Sequence, residues 1–119
     1  MNETNDQNEV RVPFVNTDDP TLLLVRGNIE NDDERKRYIK ALADAVLAVY
    51  CKHHKVNLRC VGAAAVNNAD KAIIIATGEA IKKGVFLATV PSFQLVSFDG
   101  GVTEKTAILK TVRKVEFVE

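Results

Sequence analysis

The chain has 119 residues, 46% of them hydrophobic, and its 16 basic and 16 acidic groups leave a formal net charge of zero. That length supports one domain with a single modest core. Two cysteines, Cys51 and Cys60, make neither a disulfide framework nor a CxxC site, and no apolar run approaches the ~20 residues needed to cross a bilayer.

The charge is unevenly spread. Residues 1–20 carry Glu3, Asp6, Glu9, Asp18 and Asp19 against Arg11 alone, so the remaining body is mildly basic. A basic body behind an acidic tail suits weak association with a polyanion. The N-terminus is polar and acidic and does not read as a signal peptide; the expected location is the cytoplasm, with both thiols reduced. Residues 1–19 read as a flexible acidic tail, the first nine as disordered. Val10 to Val15 has the composition of a short extra strand or of an arm packed on a neighbour, and Pro13 would confine it to an edge.

The domain is expected over residues 20–119. Thr21 to Arg26 reads as the first strand, apolar on both faces like a strand inside a layered structure. Gly27 and Asn28 break it, and the loop Asn28 to Asp33 is acidic. A helix follows from Asp32 or Asp33, either able to cap it, with its buried stripe at Tyr38, Leu42, Ala45, Val46 and Val49. Arg35, Lys36, Arg37 and Lys40 near its start read as a solvated face or as groups reaching a phosphate backbone. Its end falls near Lys52 to Lys55. His53 and His54 there point about 100° apart and suit the helix dipole rather than a shared ion, so no metal site is expected.

Val56 to Val61 reads as the second strand and Gly62 as a turn needing glycine's freedom. Ala63 to about Lys83 reads as the second helix. Ile73, Ile74 and Ile75 cannot share one stripe, and with Ala69, Ala72, Ala76 and Ala80 they predict a helix covered on more than one side. A second subunit is the simplest cover. Val85 to Phe98 and Thr103 to Val118 read as the two strands of a long hairpin turning at Asp99-Gly100-Gly101, with Pro91 marking a bulge or kink at an edge. On the last strand Ala107, Leu109 and Thr111 share one face; Glu104, Thr106, Ile108, Lys110 and Val112 share the other. The order β-α-β-α-β-β with right-handed crossovers predicts an α/β two-layer sandwich, both helices on one face of a four-stranded mixed sheet. No nucleophile–base pair and no phosphate-loop motif is present, so neither an enzyme nor a cofactor is expected.

Val61-Gly62-Ala63-Ala64-Ala65-Val66-Asn67, then Lys71-Ala72-Ile73, Ala76-Thr77-Gly78, Pro91-Ser92-Phe93, Asp99-Gly100 and Thr106-Ala107-Ile108 occur in that order. Together they resemble the stage V sporulation protein S family of the Alba superfamily, over Leu22 to about Val115. The resemblance implies a homodimer or higher homo-oligomer in which the second helix and neighbouring strands meet. It also implies binding of DNA or RNA through the sugar-phosphate backbone. The residues expected to carry it are Arg26, Asn67, Asn68 and Lys71 on the body and Lys105 and Lys110 on the hairpin arm, aided by the backbone N–H groups at the second helix's start. The chain departs from the family pattern in its acidic first loop, in Thr77 where relatives tend to have Arg, and in a hairpin lengthened through Gly101 and Val102. The first two changes lower phosphate attraction. The alternative reading is a protein-interaction or assembly module that kept the fold and lost the binding.

Overall fold

The computed structural model describes residues 18–97 and 99–117. The expected arm at Val10 to Val15, and the expected strand ends at Phe98 and Val118, lie outside the described residues. Six elements follow in order: β1 (Leu22–Val25), α1 (Asp32–His53), β2 (Val56–Cys60), α2 (Ala63–Ile81), β3 (Leu87–Ser97) and β4 (Glu104–Lys114). The sheet order is β1-β2-β4-β3. β1 and β2 pair in parallel, while β4 pairs antiparallel with β2 and β3. This is the expected mixed sheet. α1 and α2 pack on each other and on β2, and α2 also reaches β1 and β3.

α1 forms where the sequence marks both of its ends. Asn31, rather than Asp32 or Asp33, is the N-cap; its side chain accepts the Glu34 N–H at 2.9 Å. The two aspartates instead occupy the first turn, where their charge meets the positive helix end. The helix closes on His54 in the left-handed region, with φ of 63°, and its backbone N–H bonds to the Tyr50 carbonyl. Tyr38, Ile39, Leu42, Ala43, Val46 and Val49 are its buried stripe. α2 starts after Gly62, whose φ of +91° is costly for a residue with a Cβ.

The core lies between the helices and one face of the sheet. Leu23, Val56, Leu58, Cys60 and Val112 join Leu42, Val46, Ala65, Ala69, Ala72 and Ala76 in it. Directly paired residues share a face, so Val56↔Val112 and Leu58↔Lys110 put Lys110 on the helix-bearing side. The other face is polar in its middle. Asn57 accepts a hydrogen bond from the Thr111 hydroxyl at 2.7 Å and donates one to Thr21 at 3.1 Å. Arg59 on β2 reaches over β4 to donate to Gln94 on β3 at 2.9 Å; its guanidinium crosses the region of Ala107, which is fully buried.

β3 is the edge strand, as Pro91 requires, but the ladder runs without a bulge from Leu87↔Lys114 to Ser97↔Glu104. An edge strand turns half of its N–H groups away from its only partner, so a proline fits without breaking the register. The hairpin turn is fastened by Asp99, which accepts the Thr103 N–H at 2.6 Å.

Cys51 is exposed and Cys60 buried, and no disulfide joins them. Burial pushes the Cys60 thiol from 9.0 up to about 11. At pH 8 a maleimide should label Cys51 within minutes and Cys60 only in denaturant, read by intact mass. Because the folded value is raised, the buried thiol's contribution to stability is constant below pH 9 and is lost as pH rises through about 11. Equal labelling of both thiols in the native state would contradict this burial.

Candidate nucleic-acid interface

Parallel pairing of β1 and β2 places the start of each following helix at the same end of the sheet. The loop between β1 and α1 is clamped there. The Arg26 N–H donates to the Tyr38 hydroxyl oxygen at 2.7 Å. The Asn68 amide donates to the Arg26 carbonyl at 3.0 Å and the Gly27 carbonyl at 2.9 Å. A Cβ at Gly27 would lie 3.4 Å from the Ala65 nitrogen, at ordinary contact distance. The loop therefore rests directly on the first turn of α2. That turn has no side-chain cap, and it carries the partial positive charge of a helix start.

Three of the expected residues share this end. Arg26 is half exposed and lies 3.5 Å from Glu34. Asn67 and Lys71, one turn apart on α2, are exposed. Lys71 forms one rim of a groove of about 560 Å³ between α1 and α2, with Arg35, Lys36 and Lys40 opposite and Ile39, Ile74 and Ile75 between. Arg35 is tied to Asp32 at 2.6 Å and to the Ile29 carbonyl at 3.1 Å. Lys36, Lys40 and Lys71 form no ion pair among the described residues. Three ammonium groups thus border one depression.

The other three expected residues are placed differently. Asn68 is 2% exposed and both its amide hydrogens are taken by loop carbonyls; it positions the loop and has no surface to offer. Lys110 is 9% exposed, and its ammonium lies 2.7 Å from the Asp70 carboxylate. It neutralises α2 from below and does not project from an arm. Lys105 is exposed on the hairpin, away from the groove. Lys36 and Lys40, which the sequence offers as part of a solvated face or as groups reaching a phosphate backbone, border the same groove. Their turn toward Lys71 depends on how α1 rotates against α2, which periodicity does not report.

α2 itself is covered on one broad side only. Ile73 is buried, whereas Ile74 is 69% and Ile81 47% exposed. Val90, Phe93 and Leu95 on β3 are exposed as well. The expected cover on a further side is therefore not supplied by the described residues of one chain. No helix among the described residues is long and apolar enough to cross a membrane. A family model described as Stage V sporulation protein S (SpoVS) matches residues 35–115.

Proposed function

Since the chain belongs to the stage V sporulation protein S family, and so is a sporulation-related protein, we propose that it is a cytoplasmic, dimeric, Alba-like regulator that binds DNA or RNA through the sugar-phosphate backbone. The observation that carries this reading is the meeting of Arg26, Asn67 and the uncapped α2 start with the lysine-rimmed groove of Lys36, Lys40 and Lys71. Ammonium groups and helix-start N–H groups are both phosphate ligands. No catalytic role is assigned to any of them. A second copy covering Ile81 with Phe93 and Leu95, which share the helix-bearing side of the sheet, would double the charged surface and remove these apolar side chains from water.

Labelled duplex DNA and duplex RNA, titrated at low and moderate salt, test this. Binding should be modest and strongly salt-sensitive, and Lys71→Glu with Lys105→Glu should flatten the salt slope by about 0.9 for each DNA phosphate no longer neutralised. Absence of binding at low salt would eliminate the reading. The acidic first turn of Asp32, Asp33 and Glu34 beside the exposed apolar residues favours one competitor, an assembly module without nucleic-acid binding. Self-association that persists while both probes fail would select it.

A further inference from the structure

We propose that the helix-free face of the sheet is the docking surface for the chain's own residues 10–15, laid diagonally across it. Three apolar side chains on that face are buried without a described cover. Leu22, Ala107 and Val96 are 5%, 0% and 8% exposed, yet none belongs to the core between the helices and the sheet. Leu22 pairs with Asn57, and Asn57 with Thr111, on the side opposite Leu23, Leu58 and Lys110. Ala107 pairs with Gln94 and Val96 with Lys105 on that same side. The Arg59–Gln94 pair shields Ala107. Leucine on an edge strand and valine on a two-stranded ribbon need a further layer to be buried this far.

Exposure maps the path of that layer. Leu24 and Val90 stand at the other two corners of the same face and are 36% and 61% exposed; Ala88 beside Val90 is exposed too. Leu109, on the line between Leu22 and Val96, is half-buried. The covered residues thus form a diagonal from the start of β1 to the outer part of β3. It runs about 14 Å across three strand spacings and about 20 Å along β4 from Thr111 to Lys105, or about 25 Å in all. A cover that reaches both corners is a segment, not a neighbouring side chain such as Phe98.

The chain supplies a segment of that length at the right corner. The described residues begin at Asp18, and the Leu22 N–H donates to the Asp19 carbonyl at 3.0 Å, so the preceding residues enter beside Leu22. About eight extended residues span 25 Å, and Val10 stands that far ahead of Asp18. Val10, Val12 and Phe14 alternate, which gives an extended segment one apolar side for Leu22, Leu109, Ala107 and Val96. Pro13 suits a segment that crosses the ladder without joining it. Beyond Val10, Glu9 and Asp6 reach the hairpin, where Lys105 is exposed opposite Val96. Docking closes this face to other partners and sets acids beside a lysine proposed to meet phosphate; only that last consequence rests on the nucleic-acid reading.

The experiment uses the full chain with Cys51→Ser, carrying either Val96→Cys or Val90→Cys, labelled by maleimide and followed by intact mass. The Val96→Cys thiol should react at least about tenfold more slowly than the Val90→Cys thiol. Adding Val12→Asp with Phe14→Asp should bring the two rates together, with an unchanged circular dichroism spectrum in every variant. In the parent chain, carbodiimide should couple Lys105 to Glu9 or Asp6. A mixture of isotopically light and heavy protein should then yield coupled peptides that are wholly light or wholly heavy. Equal rates at positions 96 and 90, or protection that survives the Val12 and Phe14 changes, would overturn the docking. Mixed light–heavy peptides would assign the cover to a second copy and overturn it as well. Each outcome reads the same whether or not the protein binds DNA or RNA.

Discussion

Asn68→Asp should cost about 3 kcal/mol or more of folding stability at neutral pH, although it exchanges only an amide for a carboxylate. The side chain is buried at 2% exposure, and its two amide hydrogens serve the Arg26 and Gly27 carbonyls. A carboxylate would turn acceptors toward acceptors and place a charge where water cannot reach it. Asn68→Leu should cost less, about 2 kcal/mol, because it strands two carbonyls without adding charge. A sign follows for pH. The introduced carboxyl would have its pKa raised by burial, so the variant's loss should shrink as pH falls and the protonated group regains one donor. Urea unfolding at pH 4.5 and 7.5 checks both points. Stability within about 1 kcal/mol of the parent at pH 7.5 would mean the loop is not held as described.

Lys110→Glu should be comparably damaging, by about 3–5 kcal/mol. It would set a carboxylate in a site 9% exposed, against Asp70 at a distance where Lys110 now makes a 2.7 Å ion pair. Lys110→Met should be far milder, because the Asp70 side chain is half exposed and can be hydrated alone. The double change Lys110→Glu with Asp70→Lys should recover part of the loss, as a direct pair requires. Thermal melts of the three variants separate these outcomes; full stability of Lys110→Glu would contradict the pairing. The result bears on function. A nucleic-acid defect in Lys110→Glu would report unfolding, whereas Lys71 and Lys105, both exposed, report binding.

Much of this arrangement is legible in local pattern. The order of strands and helices, the edge position demanded by Pro91 and the turn at Gly62 follow from short-range chemistry, and the structure has them. The first helix's cap falls one or two residues earlier than expected because Asn31, Asp32 and Asp33 are all competent caps, and only the local backbone chooses among them. Asn68 departs from expectation for a similar reason. At a helix start an asparagine usually caps or turns, yet its spacing from Ala65 and Ala72 already places it on the buried stripe. Lys110 likewise stands between Ile108 and Val112 in strict alternation. Alternation does not say which face of β4 the helices cover, and a lysine turns inward only if an acid from another element waits there. Asp70, forty residues away in sequence, is that acid. The lysine groove is beyond any window-based reading, since it joins two helices brought together only by their packing on the sheet.

The hairpin gives the molecule two grades of stiffness. β2 accompanies β4 only from Ile108 to Val112, while β3 follows it all the way to Glu104. Among the described residues the ribbon beyond Ile108 is two strands wide, and it ends in a turn with two glycines at positive φ. A ribbon of that width bends and twists under small loads that a four-stranded slab would resist. The outer third of the arm can therefore act as a compliant spring on a rigid mount, following the contour of whatever lies against it while the helix-bearing end keeps its shape.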